Sequence, residues 1–101
     1  MITLVQEHLS DIAALCRKFG VRKLELFGSA AAGEFDAEAN DVDFFYEFDA
    51  DPEHLADRYF GLSEELSALL GRPIDLVSSA DVRNPYFLQV ANRHRVALYA
   101  A

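Results

Sequence analysis

A two-residue alternation of side chains over residues 41–49 constrains the fold of this chain more than any other feature of its sequence. The apolar side chains on one face are Val42, Phe44, Tyr46 and Phe48. The other face carries Asp41, Asp43, Phe45, Glu47 and Asp49. Because successive side chains of a β-strand point to opposite faces, this pattern predicts a strand with one apolar face in the core.

Helical and strand patterns alternate along the rest of the chain. Apolar side chains at three- and four-residue spacing predict helices over residues 5–19 and 51–70, the second with Asp51 as its N-cap. Asn84-Pro85 indicates the start of another helix, over residues 84–92. Strands are predicted over residues 21–28 and 74–78, with a candidate closing strand over 96–99. We interpret residues 29–40 as a short helical turn followed by a loop. Residues 1–101 are therefore predicted to form a single α/β (α+β) domain, a small mixed sheet of three to four strands with helices packed on one face.

The composition fits one folded domain and disfavours two kinds of partner. Hydrophobic residues make up 51% of the 101 residues, which excludes an intrinsically disordered chain. The formal net charge of −8 argues against direct nucleic-acid binding and against an anionic membrane surface, because both require a surplus of cations. The lone Cys16 excludes an intramolecular disulfide. Since neither a membrane-spanning run nor a signal peptide is predicted, we expect a cytoplasmic protein.

Gly28 and Ser29 stand directly after the first predicted strand and before a short helical turn. A glycine lets the backbone approach a phosphate closely, and backbone N–H groups with a serine hydroxyl can bind phosphate oxygens. An ordinary turn is the alternative interpretation of this pair.

Three aspartates are candidates for metal-dependent chemistry. Asp41 and Asp43 lie two residues apart on one strand face, where their carboxylates can converge on Mg²⁺. Asp75 is an isolated acid within the third predicted strand. Taken singly, each is also explained as a solvated surface acid. Together, a phosphate-binding turn, two carboxylates on the next strand and a third carboxylate on a later strand indicate metal-assisted phosphoryl or nucleotidyl transfer. The third carboxylate can complete a metal site or accept a proton.

These residues, in this order, resemble the minimal nucleotidyltransferase (MNT) family of the DNA polymerase β-like superfamily. The resemblance covers nearly the whole chain, and it is carried by Leu26-Phe27-Gly28-Ser29, Ala31, Gly33-Glu34, Asp41-Val42-Asp43-Phe44 and Ile74-Asp75-Leu76-Val77. It implies a nucleotidyltransferase-like fold and a small cytoplasmic protein that binds ATP with Mg²⁺, or with Mn²⁺ as an alternative ion. Carried over to this sequence, Gly28 and Ser29 hold the triphosphate, Asp41 and Asp43 bind the metal, and Asp75 is the third catalytic and metal-binding carboxylate.

The same resemblance implies a partner and an activity. We expect transfer of AMP from ATP to a hydroxyl, expected to be a tyrosine, of a HEPN-class toxin, with this chain as the antitoxin and an oligomer formed together with the toxin. The alternative is a catalytically weak or inactive antitoxin that neutralises its toxin by binding alone. Ala30 and Ala32 favour that alternative, because family members commonly carry arginines at both places.

Other cations and histidines are weaker candidates. Arg83, Arg93 and Arg95 flank the last predicted helix and are the best remaining cations for nucleotide phosphate or an acidic partner. Solvated surface arginines are the alternative interpretation. The three histidines have no metal-ligand spacing and are expected to be ordinary surface residues.

Overall fold

A computed structural model describes residues 1–33 and 41–101 of the chain. Its sheet has four strands, β1 (Val21–Phe27), β2 (Val42–Phe48), β3 (Ile74–Ser78) and β4 (Val96–Ala100). Their spatial order is β3-β2-β1-β4. β1 pairs antiparallel with β2 and β4, whereas β2 and β3 are parallel. The predicted mixed sheet is confirmed, and the candidate closing strand is its fourth member.

Five helices accompany the sheet within the described residues, namely α1 (Thr3–Gln6), α2 (Leu9–Phe19), α3 (Ser29–Ala32), α4 (Leu55–Leu70) and α5 (Pro85–Ala91). The predicted first helix is divided into α1 and α2, and the predicted helical turn after β1 is α3. The loop predicted after it, including Glu34, lies largely outside the described residues. No helix in residues 1–33 and 41–101 is long and apolar enough to cross a membrane.

α4 begins at Leu55, later than the sequence indicates. Asp51 was expected to cap the helix, but its carboxylate accepts a hydrogen bond from the backbone N–H of Glu53 at 3.0 Å. This local bond closes a turn, as aspartate side chains often do outside helices. His54 then precedes the helix with φ of +59°. By contrast, Asn84 caps α5 as predicted, accepting hydrogen bonds from two backbone N–H groups.

One face of the sheet forms the main core with α2 and α4. Large side chains from both helices meet the apolar faces of β1 and β2, and each contributes about 1.5–3 kcal/mol by leaving water. The buried members of this cluster in these four elements include Ile12, Cys16, Leu24, Leu26, Val42, Phe44, Leu62 and Leu66. The two long helices therefore lie on one face, as the sequence predicts.

The opposite face of the sheet carries a smaller aromatic cluster that α5 covers. Phe27 and Phe45 stack with ring centroids 4.1 Å apart, and both rings meet Phe87 of α5 edge-on. Ala91 of α5 is buried in the same cluster. The alternation predicts Phe45 on the same strand face as the acids. Because a phenyl ring is favoured out of water, another element is expected to pack over that face. This places α5 on the opposite face from α2 and α4, so the prediction that the helices pack on one face is correct for α2 and α4 and wrong for α5.

An ion pair fastens the segment before β4 to this second face. Glu25 of β1 is only 8% exposed. Arg95 donates to both of its carboxylate oxygens, at 2.9 and 2.6 Å. The Arg95 guanidinium also lies 4.4 Å from the Phe45 ring centroid. The hydrogen bonds from Arg95 hold the pKa of Glu25 below its ordinary value, against the opposing effect of burial.

Replacing Glu25 by glutamine tests this pair. The change leaves Arg95 without its counter-charge, and it should lower the free energy of unfolding at pH 7 by about 1–3 kcal/mol. Because folding lowers the pKa of Glu25, its stabilising effect is present above the ordinary value of 4.5 and is lost as pH falls further. Glu25→Gln should therefore lose less stability than wild type between pH 5 and about pH 3.

Urea unfolding at several pH values measures both effects. Glu65→Gln is the matched control, since Glu65 forms an exposed ion pair with Lys18, and it should change stability by less than about 1 kcal/mol. Equal losses in the two variants would contradict the assigned role of Glu25.

Candidate active site

The sheet topology brings the predicted site residues to one end of the sheet. Because β1 and β2 are antiparallel, the end of β1 lies beside Asp43 at the start of β2. β2 and β3 are parallel, with Asp43 opposite Asp75. Gly28 and Ser29 follow β1 directly, and Asp41 immediately precedes β2. The turn and the three carboxylates predicted to act together are therefore neighbours.

Gly28 lies close to the carboxylate of Asp43. Its φ of +72° lies in the left-handed region that favours glycine. A Cβ atom at this position would lie 2.6 Å from Oδ2 of Asp43. The backbone conformation thus favours glycine here, and a larger side chain would displace the adjacent carboxylate. The turn after β1 can hold a ligand group immediately beside that carboxylate.

Asp43 carries a charge that its surroundings do not favour. Its side chain is half-buried, and burial is the largest cause that raises its pKa, to about 6. The negative charges of Asp75 and then Asp41 raise the pKa further. All three causes disfavour the ionised carboxylate, so a cation bound at this end of the sheet would relieve the repulsion.

Two other acids of the same strand region are in a different situation. Glu47 lies 3.8 Å from an Arg22 nitrogen, and Asp49 lies 2.8 Å from an Arg58 nitrogen, both at the far end of β2. None of the three predicted site carboxylates forms an ion pair with any residue in 1–33 or 41–101. Glu47 and Asp49 thus have nearby cations, whereas the three site carboxylates have none among the described residues. If all these acids were equivalent solvated surface groups, this difference would not be expected.

The donor chemistry fits a magnesium ion, although the described residues do not enclose one. Within residues 1–33 and 41–101, no group of three or more His, Cys, Asp or Glu side chains is arranged to hold a metal. Mg²⁺ commonly takes only one or two carboxylates and completes its shell with waters and substrate phosphates. Asp75 is exposed on the edge strand, so its role as a third metal ligand stays a prediction.

The two alanines at the expected arginine places differ in position. Ala30 is completely buried in the main core, where an arginine would bring a charge among apolar side chains. Ala32 is half-buried and lines a cavity together with Gly28 and Ser29. Of the two places, only position 32 could present a cation to the turn.

This cavity, of about 330 Å³, includes residues that the sequence did not mark as a group. Val90, Arg93 and His94 complete its lining. From the sequence, Arg93 is only one of three candidate cations, and His94 is predicted to be a surface histidine. The packing of α5 on Phe27 and the pairing of β4 with β1, with Val96 opposite Leu26, bring these residues to the turn. That pairing crosses about 70 residues of sequence and has no local signal.

The family of this chain follows from comparison with known proteins. The nucleotidyltransferase domain family matches residues 12–98, and the chain belongs to this family. Protein adenylyltransferase MntA of Thermococcus cleftensis is 39% identical over 89 residues, covering 83% of this chain and 87% of that protein. A Methanocaldococcus jannaschii protein assigned as a protein adenylyltransferase is 38% identical over 86 residues, covering 77% and 85%. The predicted enzyme class is confirmed.

Solved structures show the same fold. One assigned as a minimal nucleotidyltransferase has a TM-score of 0.74 at 25% identity, covering 94% of this chain and 95% of that chain. A chain from the complex of a tri-AMPylated Shewanella oneidensis HEPN toxin with an MNT antitoxin has a TM-score of 0.64 at 18% identity, covering 95% and 72%. The resemblance to the minimal nucleotidyltransferases is confirmed.

A pair of glycine substitutions tests the contact between Gly28 and Asp43. Gly28→Ala should lower stability through its positive φ and also through the clash with the carboxylate. Gly33→Ala is the matched control, because Gly33 has φ of +82° but no atom of residues 1–33 and 41–101 within 4 Å of an added Cβ. We expect Gly28→Ala to cost about 1–3 kcal/mol more than the control in urea unfolding.

The extra cost should disappear when both glycine variants are measured in an Asp43→Ala background, since the clashing oxygen is then absent. Equal costs for the two glycine variants in the wild-type background would show that Gly28 does not hold the turn against Asp43.

Proposed function

We propose that this chain is a Mg²⁺-dependent protein adenylyltransferase that transfers AMP from ATP to a tyrosine hydroxyl of a HEPN-class toxin and so acts as its antitoxin. The observation that carries the proposal is the contact of the glycine turn with Asp43, whose carboxylate stands opposite Asp75. A turn able to hold phosphate thus adjoins acids able to hold a cation, in a chain of the nucleotidyltransferase family.

Each site residue has a role in the proposed reaction. Gly28 and Ser29 hold the triphosphate, with the Ser29 hydroxyl donating to a phosphate oxygen. Asp41 and Asp43 hold Mg²⁺, or Mn²⁺ in its place, and the ion supplies charge neutralisation at the phosphate oxygens. Asp75 orients the acceptor hydroxyl and takes its proton.

The bonds balance as an ordinary substitution at phosphorus. The tyrosine oxygen forms a bond to the α-phosphorus of ATP, and the bond from that phosphorus to the bridging oxygen of the β-phosphate breaks. Pyrophosphate leaves with the bonding electron pair, and the hydroxyl proton passes to the Asp75 carboxylate. Asp75 is exposed, so an acceptor side chain of another protein can reach it.

The proposed partner rests on the named relatives and on charge. Structures similar to this chain come from complexes of MNT antitoxins with HEPN toxins. The net charge of −8 favours a basic partner over an acidic one. We propose that chain and toxin form an oligomer, in the cytoplasm.

A binding-only antitoxin is the second candidate function. Alanine at positions 30 and 32 favours it, because α3 then presents no guanidinium to the triphosphate. In this alternative the chain covers its toxin without modifying it, and the three carboxylates have no part in neutralisation.

Labelled ATP distinguishes the two functions. With toxin and Mg²⁺, the α-phosphate label should appear on the toxin, whereas the γ-phosphate label should leave with pyrophosphate. Asp43→Asn removes a charged metal ligand, and it should slow transfer by about a hundredfold or more. Asp49→Asn is the matched control, since Asp49 pairs with Arg58 at the other end of β2, and it should retain activity.

Stability separates loss of chemistry from loss of fold. Asp43→Asn removes a carboxylate that burial and like charges disfavour, so in EDTA its melting temperature should be at least that of wild type. Transfer of no label, together with full neutralisation by an Asp41→Asn/Asp43→Asn double variant, would contradict the enzyme and leave the binding-only antitoxin.

A further inference from the structure

The cavity beside Gly28 and Ser29 is also lined by an arginine to which the proposed function assigns no role. Arg93 and His94 line this cavity together with Gly28, Ser29 and Ala32. Both side chains are exposed. Neither forms an ion pair with another residue of the described chain. Their hydrogen-bond donors are thus available to a ligand in the cavity.

The two other arginines that flank α5 are committed elsewhere. Arg83 donates to the backbone carbonyl oxygens of Ala80 and Val82. Arg95 donates to Glu25, as described above, and to Oδ1 of Asn92 at 3.0 Å. Of these three arginines, Arg93 is the one that lines the cavity beside Gly28 and Ser29.

Arg95 also explains why Arg93 stays beside the turn. Its two bonds to Glu25 fix the segment between α5 and β4 against β1, three residues before Gly28. The pairing of Val96 with Leu26 continues this attachment along β1. The backbone that carries Arg93 and His94 is therefore held by the pairing of β4 with β1 and by the Arg95–Glu25 hydrogen bonds. This limits the backbone entropy lost on binding a ligand.

Electrostatics favour a further cation at this place, beside the proposed Mg²⁺, if a nucleotide binds. A triphosphate approaching Asp41, Asp43 and Asp75 meets like charges, and the chain as a whole carries −8. α3 supplies no compensating charge, because its sequence is Ser-Ala-Ala-Ala. A guanidinium binds phosphate oxygens through two parallel hydrogen bonds and remains charged at all working pH values.

We propose that Arg93, with His94 as a second hydrogen-bond donor, binds the β- and γ-phosphates of the nucleotide across the cavity from Gly28 and Ser29. The phosphate contact then comes from the segment between α5 and β4 and not from α3. This inference rests on the proposed function, since it assumes that a nucleoside triphosphate occupies the turn.

Nucleotide binding tests the inference without any toxin. Arg93→Ala should weaken the binding of ATP at least tenfold, both in Mg²⁺ and in EDTA, while the binding of AMP changes less than twofold. His94→Ala should weaken ATP binding about threefold. Titration calorimetry with ATP and AMP gives each dissociation constant, and an unchanged melting temperature shows that each variant is folded.

Two further variants make the test specific. Arg17→Ala removes the same charge from an exposed site at the opposite end of β1, and it should leave ATP binding unchanged. Ala32→Arg in the Arg93→Ala background places a guanidinium on the same cavity from α3, and it should restore at least half of the lost affinity in logarithmic terms.

The results also separate this inference from the proposed function. If wild type binds ATP but Arg93→Ala matches Arg17→Ala, the role of Arg93 is overturned while the proposed function stands. Equal weakening of ATP and AMP by Arg93→Ala would likewise overturn a contact to the terminal phosphates. Failure of wild type to bind ATP at all would overturn both.

Discussion

The approach of the Gly28 backbone to the Asp43 carboxylate is the constraint on which the proposed site depends. It joins the end of β1 to the start of β2, and a side chain at position 28 would displace the Asp43 carboxylate. Asp43 is half-buried there, and burial together with the charges of Asp75 and Asp41 raises its pKa to about 6. The fold thus maintains an unfavourable charge arrangement that a bound cation and phosphate would stabilise, as expected of sites organised for function rather than stability.

The order and type of the elements could be predicted from the sequence because their signals are local. The alternation of apolar and polar side chains around Phe44 indicates a strand directly, and Gly28 and Gly71 indicate where elements end. The start of α4 was placed too early, since the Asp51 side chain closes a turn with Glu53 instead of capping the helix. Burial of Phe27 and Phe45 under α5 was not predicted, because alternation shows two faces but not which helix covers each.

The candidate site was predictable in part for the same reason. The spacing of Asp41 and Asp43 and the resemblance of the motifs indicated which acids to consider, and strand pairing places Asp75 opposite Asp43. The different burial of Ala30 and Ala32 could not be read from the sequence. Nor could the position of Arg93, which depends on the pairing of β4 with β1 and on the bond between Arg95 and Glu25.

The most direct measurement of the central claim is paramagnetic broadening of backbone amide signals by Mn²⁺ in the presence of ATP. Substoichiometric Mn²⁺ should broaden the signals of Gly28, Asp43 and Asp75, and addition of excess Mg²⁺ should restore them. The signals of Gly20 and Asp49, at the other end of the sheet, should stay sharp. Broadening centred on Asp49, or spread evenly over the acidic surface, would contradict a metal–nucleotide site at the glycine turn.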